Sequence, residues 1–151
     1  MSLFACFLIL STVTGQTVSL ENASLRAEWD ARGAMVSLCD KAAGREWLEP
    51  GEAQGYRLHL TDATELVTLS AAESVSVRKE AGEVVIEARH AKPLGLTVTC
   101  RFRLEDDSPN LLGRIAVAAA APCRIAEAWF PLVALRAPFS GSGEEDQVLL
   151  P

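Results

Sequence analysis

Apolar and polar residues alternate with a period of two along much of this chain, and almost nowhere do they follow a helical period. The clearest run is 96–104, where five apolar side chains on one face alternate with Thr and Arg on the other. Such alternation is typical of an antiparallel strand with one buried and one solvated face. Cys100 falls on the apolar face, so we expect it to be a small buried hydrophobe.

The same alternation, interrupted by turn residues, predicts further strands at residues 25–29, 35–38, 56–60, 74–79, 84–90, 111–121 and 125–135. Residues 111–121 are rich in Ala and would fit a helix by propensity. We assign them to a strand because they follow the 96–104 strand after a turn, and we expect Pro131 to break the last strand. Strands at intervals of about 8 to 14 residues predict an all-β fold, an antiparallel β-sandwich.

Length and composition restrict the classes of protein that remain. The 151 residues are enough for one domain with a core, but an α/β barrel needs about 250 residues. A hydrophobic content of 49% argues against a disordered chain. The net charge of −6 argues against a nucleic-acid-binding surface, which needs clustered Lys and Arg.

The first residues have the pattern of a secretory signal. An apolar run over residues 3–10 is too short to span a bilayer, and Val13 and Gly15 are typical of a cleavage site before Gln16. No Lys or Arg precedes the run, so a buried strand is the alternative interpretation. We expect a signal peptide over residues 1–15, a β-sandwich domain over 16–151, a secreted or periplasmic protein, and no membrane span.

The cysteines and histidines do not suggest a metal or cofactor. After cleavage Cys39, Cys100 and Cys123 remain, and their separations of 61 and 23 residues match no zinc-binding spacing. An odd number allows at most one disulfide, and the sequence leaves open whether one forms. His59 and His90 lack a metal-ligand spacing, so both are interpreted as surface histidines.

Catalytic patterns are also missing from the sequence. The acidic groups at 106–107 and 144–146 lie in predicted loops, where two carboxylates are not held at the separation that glycoside hydrolysis requires. No Gly-x-Ser-x-Gly sequence is present. The sequon at Asn22 matters only in a host that glycosylates proteins. We therefore predict no catalytic residue and no cofactor within this chain.

Aromatic rings are the remaining route to a ligand, because they stack on the apolar faces of sugars. Trp29 continues an apolar face and is expected in the core, whereas Trp129 could face either side of its strand. Trp47 adjoins a predicted loop and is the best candidate for exposure. Trp47, Tyr56 and His59 are the candidate residues for contact with carbohydrate.

The order of several short motifs resembles a known family. They are residues 19–22, the segment Leu-Cys-Asp-Lys-Ala-Ala-Gly-Arg-Glu at 38–46, the Phe-Pro step within 125–131, and the acidic segment ending in Leu-Leu-Pro at 145–151. Together they are similar to the galactose-mutarotase-like supersandwich that begins many secreted bacterial glycoside hydrolases.

The resemblance implies a specific role. In that family the sandwich precedes a catalytic (β/α) barrel, packs against it, and usually holds no catalytic residue. We therefore expect an incomplete supersandwich, truncated at the C-terminus, from the N-terminal part of a secreted carbohydrate-active enzyme. Its partners would be a C-terminal glycoside hydrolase domain beyond Pro151 and carbohydrate.

Three alternatives stay open. The chain could be an independent carbohydrate-binding module that uses the candidate residues, or a secreted interaction protein without a sugar ligand. A mutarotase-type enzyme would need an acid and a base, such as Glu and His, across a sheet, and the chain looks short for a complete domain of that kind.

Overall fold

The fold is all-β, as the alternating pattern predicts. A computed structural model describes residues 17–49, 55–61, 66–92, 94–106 and 108–136. In these ranges the chain forms no α-helix; a single 3-10 turn (Leu69–Ala71) lies among eleven strands. The strands are β1 (Val18–Glu21), β2 (Leu25–Trp29), β3 (Met35–Asp40), β4 (Arg45–Glu46), β5 (Gly55–Leu60), β6 (Val67–Thr68), β7 (Ser74–Glu80), β8 (Glu83–His90), β9 (Leu96–Leu104), β10 (Leu111–Ala119) and β11 (Ile125–Leu132). The predicted signal peptide at 1–15 and the acidic segment at 145–151 lie outside the described residues.

The strands form three antiparallel sheets. Sheet I has the order β1-β2-β3-β4, sheet II the order β10-β9-β8-β7, and sheet III the order β11-β5-β6. The predicted strand at 96–104 is confirmed at both ends, and the Ala-rich segment is strand β10 rather than a helix. Strand β11 continues past Pro131 to Leu132, with its register shifted between Trp129 and Leu132, so the predicted break is a local irregularity.

One hydrophobic core joins the three sheets, because sheet II packs its inner face against sheets I and III. Trp29 of sheet I lies against Phe102 of sheet II, with ring centroids 4.9 Å apart. Gly33 permits this close approach: a Cβ there would lie 2.7 Å from the side chain of Ile86, and its φ of +79° favours glycine. Trp29 is 1% exposed, so its predicted place in the core is confirmed.

The segment that carries the family resemblance, residues 38–46, is a tight hairpin between β3 and β4. Asp40 Oδ1 accepts hydrogen bonds from the backbone N–H groups of Ala42 and Ala43, and Gly44 has a φ of +62°. An Asp side chain that accepts hydrogen bonds from the next backbone N–H groups stabilises a turn without help from distant residues. Asp40 and Gly44 therefore fix the turn of this hairpin, and the role of these two residues in the structure is to shape the backbone.

Glu46 closes the same hairpin from its other end. Its carboxylate accepts hydrogen bonds from the Ser37 hydroxyl at 2.6 Å and from the backbone N–H groups of Leu38 and Leu48. Burial alone would raise the pKa of Glu46, but these hydrogen bonds outweigh it and the pKa is lowered. The carboxylate is consequently held ionised as a structural acceptor.

Asn22 ties two distant turns together. Its side-chain amide nitrogen donates to the carbonyl oxygens of Glu105, at 2.7 Å, and Ser108, at 2.8 Å. Its side-chain oxygen accepts from the backbone N–H groups of Ser24 and Leu25. The side chain thus fixes the β1–β2 turn on the β9–β10 loop.

One side of the sandwich is only partly covered. Strands β10 and β11 are the end strands of sheets II and III, and they contact each other. On both strands the inward-facing residues have buried residues as their cross-strand partners. Ile115 and Val117 are nevertheless only half-buried, and Ile125 is 43% exposed. Ala119 and Ala128 are exposed as well. We call these five residues the open side of the sandwich.

Candidate functional site

Trp47 lies directly after β4 and is half-buried. Its backbone N–H donates to Leu38 at 2.9 Å, and its carbonyl accepts from Arg136 at 2.8 Å, so both neighbours fix its position. The Arg45 guanidinium lies 4.3 Å from the ring centroid, which is a cation–π contact. The ring contributes to a shallow, mainly apolar depression between β3 and β10.

Tyr56 is not a surface residue, and its prediction as a sugar contact is wrong. The side chain is 0% exposed on the inner face of β5, and its hydroxyl lies 2.6 Å from His90 Nε2. Burial raises the pKa of Tyr56 well above its usual range, so the hydroxyl keeps its proton. Tyr56 follows the same alternation as Leu58 and Leu60, which are also buried.

His90 is also buried, at 4% exposure, so its interpretation as a surface histidine is wrong. Burial lowers the pKa of His90 most strongly, while a hydrogen bond to the Ala71 backbone and the charge of Glu73 act in the opposite direction. The net result is a neutral ring. The hydroxyl of Tyr56 donates to Nε2 when that ring nitrogen carries no proton, so the two buried groups satisfy each other.

His59 lies on the opposite face of β5, half-buried and turned away from the core. Its partner across the sheet is Glu127 of β11, and the next outward pair is Arg57 with Trp129. The Arg57 guanidinium lies 5.8 Å from the Trp129 ring centroid. These four residues, Arg57, His59, Glu127 and Trp129, form one surface that we call the β5–β11 face.

Trp129 is the accessible aromatic residue that the sequence does not single out. At 40% exposure it is more accessible than the half-buried Trp47, so the prediction that Trp47 is the most exposed tryptophan is wrong. The register of β11 is irregular between Ile125 and Glu127, which changes the face that later residues occupy. Alternation read from Ile125 alone therefore misplaces Trp129.

The structure does not bring the three predicted contact residues together. Trp47 lines the depression between β3 and β10, Tyr56 is in the core, and His59 is on the β5–β11 face. The β5–β11 face offers an accessible aromatic ring beside an acid, an imidazole and a guanidinium. Such a surface can stack on a sugar ring and hydrogen-bond its hydroxyl groups.

The three cysteines in the described part of the chain form no disulfide. Cys39, Cys100 and Cys123 are all free, and Cys100 is 2% exposed, which confirms its expected burial. Burial raises the pKa of Cys100 to about 12, so the thiol is unreactive. Within the same residues no group of three His, Cys, Asp or Glu side chains could hold a metal ion.

Comparison with known proteins adds no family. No protein-family model matches the chain, and no curated protein matches it. Among the helical segments of the described residues, none has the length and apolar character needed to cross a membrane. The function proposed below therefore depends on the residues and their geometry.

Proposed function

We propose that this chain is a non-catalytic β-sandwich of a secreted carbohydrate-active enzyme, of the galactose-mutarotase-like supersandwich type. It packs on a glycoside hydrolase domain through the open side and contacts carbohydrate through the β5–β11 face. The motif resemblance to that family supports this proposal. The hairpin at 38–46, whose side chains fix its turn, is consistent with a fold-defining motif.

The open side is the observation that carries the proposal. Apolar side chains such as Ile115, Val117 and Ile125 face inward on the two end strands but keep substantial contact with water. Burying such surface yields roughly 25 cal/mol per Å², so a neighbouring domain that covered it would be held mainly by the hydrophobic effect. Within the described residues no further strand pairs with the outer edges of β10 and β11, so these edges offer backbone groups for additional strands.

A carbohydrate role is supported by the composition of the β5–β11 face. The Trp129 ring is 40% exposed, and the Arg57 guanidinium lies over it, 5.8 Å from its centroid. Glu127 and His59 lie next to this pair and supply hydrogen-bond acceptors and donors. An aromatic ring flanked by polar groups is the usual arrangement for recognition of a sugar ring.

The docking role is tested by hydrophobic-dye binding to the whole chain. We expect the chain to enhance the fluorescence of 8-anilinonaphthalene-1-sulfonate and to self-associate in sedimentation velocity. An Ile125→Glu variant should reduce both. The matched control is Val36→Glu, because Val36 is 48% exposed on sheet I, away from the open side. A monomer that binds no dye, or equal effects of both variants, would contradict the proposal.

The nucleotide sequence that follows the Pro151 codon tests the remaining part. We expect an in-frame continuation that encodes a (β/α) barrel. An in-frame continuation with no such pattern would exclude a glycoside hydrolase partner in the same chain.

The alternative function is an independent carbohydrate-binding module, and the accessibility of Trp129 favours it. Affinity electrophoresis in gels that contain polysaccharide separates the two. An independent module would be a monomer that unfolds cooperatively and is retarded by a polysaccharide, and Trp129→Ala would abolish the retardation. If Trp47→Ala abolished the retardation and Trp129→Ala did not, the carbohydrate contact would lie at the depression between β3 and β10.

A further inference from the structure

The outer face of sheet II carries three neighbouring arginines. Arg114 of β10 lies directly opposite Arg101 of β9, and Arg103 follows two residues later on the same face. Side chains in directly opposed positions have Cβ atoms about 5 Å apart, and those two residues apart about 7 Å. The three guanidinium groups therefore share one small area, which we call the arginine patch.

The patch has little compensating charge. Glu83 of β8 pairs with Arg101, with Nη1 and Oε2 3.2 Å apart. In the ranges that the structure describes, no ion pair or side-chain hydrogen bond involves Arg103 or Arg114. Glu105 and Asp106 lie beyond Arg103 on the following loop, outside ion-pair distance. Among the described residues, one carboxylate thus serves three cations, in a chain whose net charge is −6.

This arrangement differs from the rest of the same face. Arg78 pairs with Glu80 at 3.3 Å, and Arg89 pairs with Glu87 at 2.9 Å. Like charges directly opposite each other on a sheet destabilise it, so the Arg101–Arg114 pair carries a cost that the paired arginines do not. An anion bound between the guanidinium groups would remove that cost.

The shape and lining of the patch indicate the class of anion. The arginines, with Glu83, Leu112 and Gly113, surround an open depression of about 470 Å³, which is within the usual range for ligand sites. Leu112 is 36% exposed and offers an apolar contact for the C–H face of a sugar ring. Among the residues described, no aromatic side chain lines the depression, so stacking of nucleic-acid bases has no platform there.

We infer that the arginine patch binds an acidic glycan through its carboxylate or sulfate groups. Guanidinium groups bind such groups in bidentate fashion, and an open depression on a flat sheet accepts one stretch of a chain. The inference rests on the proposed carbohydrate function and names its ligand class. The patch lies on sheet II, whereas the β5–β11 face lies on sheet III across the core, so the two surfaces are separate.

Affinity electrophoresis of the whole chain tests the inference with four probes: polygalacturonate, dextran sulfate, neutral dextran and a single-stranded oligothymidylate. Retardation by polygalacturonate or dextran sulfate, weakening as salt is added, is expected. Retardation by one of them identifies carboxylate or sulfate as the group bound. Arg103→Gln and Arg114→Gln should each weaken the interaction on the order of tenfold, as expected for loss of a charge-assisted hydrogen bond.

Arg78→Gln is the matched control, because it removes the same charge from the same face outside the depression. It should leave the affinity within about twofold, since its charge lies outside the contact. Equal losses with Arg78→Gln would reduce the effect to net charge and overturn the inference, and so would equal retardation by the oligothymidylate. Unchanged melting temperatures of the glutamine variants would show that they fold.

The inference and the proposed function fail in different ways. Retardation by neutral dextran alone, lost in Trp129→Ala, would support the proposed function and overturn the acidic-glycan site. Retardation by acidic glycans that Trp129→Ala leaves intact and Arg114→Gln abolishes would support the site. If none of the probes retarded the chain, the acidic-glycan site would be overturned. The docking proposal would still be tested separately by dye binding at the open side.

Discussion

The two faces of strand β5 carry similar polar chemistry in opposite settings. On the inner face Tyr56 meets His90 in a buried hydrogen bond of 2.6 Å. On the outer face His59 lies opposite Glu127 at an accessible surface. The inner pair has its polar groups satisfied by protein, because a buried polar group without a partner costs about 1–3 kcal/mol. The outer pair is solvated and keeps its hydrogen-bonding capacity for a ligand.

This difference teaches that residue type alone does not identify a binding surface. The two histidines of the chain illustrate this, because His90 is buried on an inner face and His59 lies on an outer face. An inward residue contributes to stability, and an outward residue is available for recognition. Variants on each side should therefore separate the two properties.

Removing the inner aromatic ring should have the largest effect on stability. Tyr56→Ala leaves a cavity and an unpaired His90, so we expect the free energy of unfolding to fall by about 3–5 kcal/mol in urea titrations. Tyr56→Phe keeps the ring and should cost about 1–3 kcal/mol. Trp129→Ala is the control for removal of a large ring from the accessible face, and it should cost clearly less than Tyr56→Ala because the Trp129 side chain is 40% exposed and leaves no enclosed cavity. Equal losses for Tyr56→Ala and Trp129→Ala would contradict the comparison.

Acid should weaken the inner pair next. The folded-state pKa of His90 lies below 6.5 because of its burial, so the unfolded state takes up the proton first as the pH falls. The stability from a neutral His90 is complete above about pH 6.5 and is lost as the pH falls through the folded pKa, with a slope of up to about 1.4 kcal/mol per pH unit. Unfolding titrations between pH 8 and pH 5 measure this slope.

Two histidine variants assign that slope. His90→Gln should remove the dependence between pH 6.5 and 5, whatever its effect on absolute stability, whereas His59→Gln should retain it. The lowered pKa values of Glu21 and Glu46 act only below about pH 4.5, outside this window. A slope that persists in His90→Gln and vanishes in His59→Gln would reverse the assignment.

The outer pair should contribute least to stability. Single variants His59→Ala and Glu127→Ala are expected to change the free energy of unfolding by no more than about 0.5 kcal/mol, because exposed sites have few contacts to lose. A double-mutant cycle should give a coupling below about 1 kcal/mol. A coupling of several kcal/mol would show that the pair is structural, like its inner counterpart.

Much of the fold could be predicted because one-sided burial imposes a period of two. Strand β9 has its predicted bounds to the residue, because all its inward positions are apolar. The Ala-rich sequence of β10 fits a helix or a strand equally well. Only the turn before it, which predicts pairing with β9, favours the strand. The register shifts in β11 are tertiary effects, and alternation contains no signal for them.

The candidate site was harder to predict for physical reasons. Alternation places Tyr56 on the same face as Leu58, so the pattern itself predicts that Tyr56 is buried. The aromatic hydroxyl of Tyr56 favours the opposite interpretation, a contact with sugar. His90 ends the inward series of β8, where the sequence shows no reason for burial until Tyr56 is seen opposite. The opposition of Arg101 and Arg114 depends on inter-strand register, which the sequence does not specify.

The hydrogen bonds of Asn22 have a practical consequence for producing the protein. This side chain is the acceptor in the sequon Asn22-Ala23-Ser24, and a glycan on its nitrogen would replace a hydrogen donated to Glu105 or Ser108. In a glycosylating eukaryotic host, glycosylation of Asn22 would therefore compete with the hydrogen bonds that hold the two turns together. Ser24→Ala removes the sequon but keeps the backbone N–H by which Ser24 binds Asn22, so this variant suits such hosts.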